Sequence, residues 1–373
     1  KQRFTADMAL AMKADVTLFE GTYCKYRTAD ENAGKGPDVA RAQKYLNECL
    51  SACEALMKKG YKLNDSYQGI YNSIDLSNNP EIIFYKPYSQ NVLMHSTVDY
   101  TLNTSGTHGM TKDAFDAYLF LDGKPKATTA LDNTDAVQAD ANGVFNINSL
   151  LAVRDKRLAV TIDTVLVFKG KPYSRAGSNE FTSTTGYGVA KYDNPKEMTT
   201  NERNNIGKQY TDCPIYWLSV IYLNYAEAKA ELGNLTQADL DKSVNLLQKR
   251  AGLPNMTTTP EADPANNMNV SNLLWEIRRV RRCELMFDNW YRYWDLIRWH
   301  QLDLLDSQKH PNIYLGANLK YLKNPEVDVN AEGYMIGSNT LKQIRTSDKK
   351  HYFYPVPTGQ ITLNKELKQN PGW

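Results

Sequence analysis

The segment RRCELMFDNWYRYWDLIRWH, residues 281–300, concentrates charged and aromatic side chains to a degree no ordinary amphipathic helix requires. Paired carboxylates are the machinery of glycoside hydrolysis, and Asp288 and Asp295 stand seven residues apart. On a helix that is two turns, roughly 10.5 Å along the axis, beyond the separations used by either hydrolytic geometry. A different chemistry fits better. In one long helix, Glu284 falls inside the apolar stripe Leu273, Ile277, Val280, Phe287, Tyr291 and Trp294. A carboxylate on a buried stripe must be paired or neutral. Arginine suits that role because its planar fork matches a carboxylate and stacks on rings. Arg278, Arg281 and Arg282 lie close to Glu284 along the helix, and Asp288 and Arg292 make an i, i+4 pair. Asp295 with Arg298 and Arg292 extends the network. The segment therefore reads as a semi-buried ion-pair helix wrapped in aromatics, structural rather than catalytic.

Other chemistries find little purchase. The chain has no phosphate-binding GxGxxG or Walker loop and no GxSxG elbow, and none of His95, His108, His300, His310 and His351 falls in HExxH. In QADANG (138–143), Asp140, Asn142 and Gly143 suit the later part of a calcium loop, but Gln138 and Ser149 occupy positions where acids are wanted. An Asx-rich turn is the expectation there. Cys24, Cys49, Cys53, Cys213 and Cys283 are odd in number and form no CxxC, which argues against a disulfide framework or a zinc knuckle. Cys49 and Cys53 share a helical stripe, where a free thiol acts as a small hydrophobe. No catalytic residue, metal or cofactor is expected.

The chain has 373 residues, of which 42% are hydrophobic and 23% charged, ample for a sizeable core. A net charge of +2 creates no whole-molecule field for nucleic acid or an anionic membrane. The 24 tyrosines and six tryptophans suit burial and polar-ligand binding alike. The longest apolar run, PIYWLSVIYL (214–223), falls well short of a membrane-spanning helix. Lys1 does not look like a natural start, since helical periodicity begins almost at once. A processed or truncated chain is expected.

Helical periodicity marks the elements that must carry these groups. Thr5, Ala9, Met12, Val16 and Phe19 recur at helical spacing before Gly21. Val39, Ala42, Leu46, Cys49, Cys53 and Leu56 do so between Pro37 and Gly60. A third helix is expected from Pro214 to Gly233 with Leu218, Ile221, Tyr225, Ala228 and Leu232 on one face, a fourth over 237–250, and a fifth from Ser271 to about Leu305. Proline at the start and glycine past the end support these limits. The helices pair into tetratricopeptide-like units without a strict 34-residue period. Residues 61–213 change texture, with many Tyr, Thr, Asn, Gly and Pro and strand-like pieces at 81–88 and 160–168. The tail from 306 reads as irregular.

Several segments, in order, resemble the SusD/RagB family of Bacteroidetes surface lipoproteins. They are CPIYWLSVIYLNYAEAKAELG, LLQKRAGLP, IRRVRRCELMFDNWYRYWDLIRW and the ending YFYPVPTGQITLNKELKQNPGW, joined by NNPEIIF, TKDAFDAYLFLDGKP, VRDKRLAVTI and TTGYGVAKY. The resemblance implies a mostly α fold, a SusD-like α-α superhelix of tetratricopeptide-like pairs with a long irregular, partly β insert. It implies one SusD-like domain over 1–373 that lacks its N-terminal part: a helical pair at 1–60, a loop-rich insert at 61–213 on the ligand side, a helical pair plus ion-pair helix at 214–305, and an irregular C-terminal segment at 306–373. It implies no enzyme activity. The implied function is glycan binding at the outer-membrane surface and delivery to a SusC-like TonB-dependent transporter, with a lipid anchor on an N-terminal segment absent from this chain. The chain departs from the family pattern at Val280, where an acid is usual, and at Asp288-Asn289, where Glu-Gly is usual. Cys24 does not fit the lipid-bearing cysteine, since it follows a helix. A peptide-binding RagB-like member and a tetratricopeptide-type adaptor are the alternatives.

A sugar site needs aromatic faces beside amides, acids and arginines. The densest such loop is YKPYSQNVLMHSTVDY (85–100), with Tyr85, Tyr88, Gln90, Asn91, His95 and Tyr100. KPYSRAGSNE (171–180) adds Tyr173, Arg175 and Asn179, and DSYQGIYNS (65–73) adds Tyr67 and Tyr71.

Overall fold

A computed structural model describes residues 1–29, 34–102, 108–132, 134–136, 144–163, 165–169, 171–175, 183, 185–322, 328–336 and 344–373. The fold is dominated by helices. Helix α1 (Ala6–Tyr26) starts where the Thr5 side chain accepts a hydrogen bond from the Met8 N–H, and α2 (Val39–Met57) where Asp38 accepts from Arg41. The two pack through Ala11, Ala14 and Leu18 against Leu46, Cys49, Cys53 and Leu56. The face of α1 expected to be buried instead looks outward: Met12 and Val16 are exposed. Small residues explain the choice, because Ala11, Ala14 and Gly21 let α2 approach closely. Gly21 does not end the helix; a Cβ there would lie 2.9 Å from the Leu46 side chain.

The run from Pro214 splits. Residues Cys213–Trp217 form strand β2, antiparallel to β1 (Ile82–Lys86), and helix α3 (Leu218–Glu231) begins only after Trp217. Ile221, Tyr225 and Ala228 of α3 close the α1–α2 core. Next come α4 (Gln237–Asp241), whose Thr236–Asp239 capping box fixes its start, and α5 (Val244–Arg250), with Gly252 at φ 75° just beyond its end.

The expected fifth helix is also two. Helix α6 (Asn272–Glu284) and α7 (Tyr291–Arg298) are separated by a turn in which Phe287, Asn289 and Trp290 all adopt positive φ. The break removes Phe287 and Trp294 from the buried stripe, and both are exposed. Helix α6 lies between two cores. Ile277 and Val280 meet Trp217, Val220, Tyr67 and Tyr71 on one side, and Cys283 joins Phe115, Tyr118 and Leu158 on the other. The insert thus packs on both flanks of one helix. Within it, 160–168 is not one strand. Helix Lys156–Thr161 precedes a strand Val165–Lys169, which pairs with Lys171–Arg175. The chain end is tied down: the Trp373 indole N–H donates to the carbonyls of Lys350 and Phe353, each at 3.0 Å.

Candidate functional site

The charged girdle is built from long-range partners. Glu227 of α3 is fully buried and accepts from Arg298 (2.5 and 2.7 Å) and from the Trp299 indole (2.7 Å). Burial would raise its carboxyl, but Arg298 and then Arg281 outweigh it and hold the pKa at about 2. Asp295 accepts from Arg281 (2.8 Å) and Arg298 (2.9 Å). Glu284 is held not by its helical neighbours but by Arg157 of the insert (2.9 Å) and by Arg250 of α5. Arg250 also reaches Glu81 beside β1 at 2.7 Å.

Two expected pairs do not form. Because the helix breaks after Glu284, Asp288 is not in helical register with Arg292, and it takes Lys191 of the insert instead (2.8 and 2.9 Å). Arg292 also misses Asp295, which Arg281 and Arg298 occupy. Arg278 pairs with Glu231 (3.0 Å) and Arg282 with Asp113 (2.5 Å). The network includes Arg157, Lys191, Glu227, Glu231 and Arg250, none of which the local spacing of the 281–300 segment could indicate.

The tyrosine-rich segments divide. Tyr67, Tyr71 and Tyr85 are core residues, 6%, 2% and 1% exposed. The hydroxyls of Tyr67 and Tyr71 donate to the Glu284 carbonyl, at 2.8 and 3.4 Å, closing the turn after α6. Lys191 lies over both rings, and the Tyr71 ring meets Trp217 edge-on, away from solvent. Tyr173 and Arg175 lie on the strand Lys171–Arg175. Asn179 and the QADANG segment fall outside the described residues.

What remains on the surface is the loop after β1. Asp212, just before β2, holds its start, accepting from the N–H of Tyr88 at 2.8 Å. His95 anchors its middle by pairing with Gln209 in both directions, at 2.8 and 3.1 Å. The His95 ring contacts Tyr88 edge-on at 4.7 Å, and burial lowers its pKa, favouring the neutral form. Between these anchors a turn with Asn91 at φ 60° carries Gln90, Asn91, Val92 and Leu93 into solvent, and Tyr100 is 56% exposed beyond it. Lys86 lies over the Tyr88 ring at 4.9 Å. The loop offers aromatic edges, amides and a cation on a fixed base, the components of a polar-ligand surface. Among the described residues no cluster of His, Cys, Asp and Glu could hold a metal ion, and no helix is long and apolar enough to cross a membrane.

A helical array carrying a strand-anchored insert, with an arginine–carboxylate girdle at its centre, defines a class of fold. The sequence pattern of the SusD family matches residues 53–373, and the chain belongs to that family. Solved structures share the fold. A SusD-like protein (BF3747) from Bacteroides fragilis NCTC 9343 is 24% identical, with TM-score 0.61 over 100% of this chain and 66% of its own. A SusD-like carbohydrate binding protein (BF0978) from the same organism is 20% identical, with TM-score 0.63 over 98% of this chain and 65% of its own. A SusD superfamily protein from Parabacteroides distasonis ATCC 8503 is 17% identical, with TM-score 0.57 over 100% of this chain and 64% of its own. The chain therefore spans about two-thirds of the length of these relatives. No curated protein matches it.

Proposed function

We propose that this protein is a non-catalytic glycan-binding component of a nutrient-uptake system, acting at the cell surface and passing oligo- or polysaccharide to a SusC-like TonB-dependent transporter. Membership of the SusD family over residues 53–373 carries the reading. The segment 86–100 supports it, because it carries the half-buried Tyr88, the exposed Gln90 and Asn91 and, further along, the exposed Tyr100 on a base fixed by Asp212 and His95. Sugars bind such shallow, partly wet surfaces through C–H contacts to rings and hydrogen bonds to amides. The strand residues Tyr173 and Arg175 belong to the same proposal. Attachment to the outer membrane through a lipid on a preceding segment completes it.

The test is calorimetric titration against a panel of soluble polysaccharides and peptides, with product formation followed in the same samples. Binding of one glycan without turnover is the expected result. Combined substitution Tyr88→Ala, Tyr100→Ala and Tyr173→Ala should weaken that binding at least tenfold, about 1.4 kcal/mol. Turnover, or peptide binding with no glycan binding, would overturn the proposal. Unchanged affinity in the folded triple variant would remove the site from these three residues.

A further inference from the structure

A cavity of about 420 Å³ opens beside α6 and α7, away from the 86–100 loop, and its wall is rich in arginine: Arg278, Arg279, Arg282 and Arg292. Three of these have carboxylate partners. Arg278 pairs with Glu231, Arg279 with Asp263, and Arg282 with Asp113. Lys309, on the rim, pairs with Asp303, and Asp116 of the wall pairs with Lys112. Arg292 is the exception. It is half-buried and makes no hydrogen bond or ion pair among the described residues. Burial, and then the neighbouring Arg282, lower its pKa to about 9 against the opposing pull of Asp113 and Asp295, neither of which it contacts.

Further unsatisfied atoms line the same cavity. The Nε donors of Arg278 and Arg282 and the Oδ1 acceptor of Asp116 are all buried without a hydrogen-bond partner. A buried polar atom without a partner carries its full desolvation cost, so three beside one unpaired guanidinium call for a common explanation. Two donors and a cation fit an oxyanion, and a lone acceptor fits a hydroxyl. Trp275 and Pro311 supply apolar wall, and Asn267 and Asn312 amide groups. The volume lies within the range of small-molecule sites.

We infer that this cavity binds the acidic group of a charged sugar, a carboxylate or a sulfate ester, with Arg292 as its counter-ion. Arginine meets either group through two parallel N–H donors. The inference rests on the glycan reading above and narrows it to acidic glycans. It places the charge-reading contact in the α6–α7 cavity, separate from the tyrosine loop.

Four probes test it by calorimetry: galacturonic acid tetrasaccharide, its fully methyl-esterified form, a sulfated galacto-oligosaccharide and its unsulfated counterpart. At least one acidic probe should bind tenfold or more tighter than its neutral partner, with an affinity that falls as salt rises. Carboxylate preference and sulfate preference separate the two sources. Arg292→Gln should abolish the difference, and Arg292→Lys should keep part of it. The Arg292→Gln chain, without ligand, should unfold in urea no earlier than the native chain, since it loses an unpaired cation. Earlier unfolding would assign Arg292 a structural role and overturn the site. Equal affinity for acidic and neutral probes would also overturn it while leaving glycan binding standing. Acidic probes that bind through Arg292 with no polysaccharide bound anywhere would instead count against the uptake reading.

Discussion

At the scale of residues, the girdle turns burial into pH sensitivity. Glu227 has a pKa of about 2 in the fold against 4.5 for the free group. A depressed carboxyl contributes stability that is fully present above 4.5 and is lost as pH falls toward 2. The contribution is roughly 3 kcal/mol, at about 1.4 kcal/mol per unit. We therefore expect the unfolding free energy to fall steeply between pH 4.5 and 3, and to fall less steeply in Glu227→Gln. Urea titrations at several pH values measure both slopes, and equal slopes would mean that Glu227 does not carry the effect. At pH 7 the same variant should be less stable than the native chain, because Arg298 loses a charged partner in a dry setting and breaking a buried pair costs about 3–5 kcal/mol. Cys283 behaves oppositely. It is buried and its thiol is pushed up to about 12, so it packs as a hydrophobe and stays protonated.

At the scale of elements, the contact between α1 and α2 makes a sharp prediction. A methyl group on Gly21 would meet the Leu46 side chain at 2.9 Å and the Leu46 backbone nitrogen at 3.1 Å. Alanine gains about 1 kcal/mol in helix propensity over glycine, while overpacking costs about 1–3 kcal/mol. Gly21→Ala should therefore be neutral to about 2 kcal/mol destabilising. Leu46→Ala in the same chain should relieve part of the clash, giving a favourable coupling in a double-mutant cycle. Additive effects would show that the two helices are not in contact there. Gly21 also shows what the sequence could and could not reveal. Its spacing reads as a stop, but its role is to admit a neighbouring helix, which no local pattern contains. The α2 stripe and the Tyr225–Ala228 face were legible because periodicity reports burial directly. The split of PIYWLSVIYL into strand and helix was not, since β2 exists only by pairing with a strand more than a hundred residues earlier. The break after Glu284 was hidden because two of its three positive-φ residues are aromatic, types that rarely take that conformation. Tyr67, Tyr71 and Tyr88 are alike in sequence, and only tertiary packing sends the first two to the core and leaves the third in the loop.

At the scale of the whole molecule, the polar contacts bind the insert to the helical frame. Arg157 and Lys191 come from the insert and end on Glu284 and Asp288, while Arg250 joins Glu284 to Glu81. Tyr67, Tyr71 and Tyr85 share one apolar cluster with Trp217, Val220 and Ile277. Neither part can lose its structure without stranding charges in the other, and an unpaired buried charge costs several kcal/mol. The described residues of 61–213 and of the helical frame should therefore unfold together. Far-ultraviolet circular dichroism follows the helices, and limited proteolysis across a urea series follows the insert. We expect one midpoint from both. We expect Arg157→Met to lower both midpoints equally, although the residue lies far in sequence from most of the helical frame. An insert that becomes protease-sensitive at lower urea than the helices melt would divide the chain into two independent units. The tyrosine loop would then lose the rigid base that its proposed role as a sugar platform requires, because ordering a mobile loop on each binding event draws down the affinity that its rings and amides could supply.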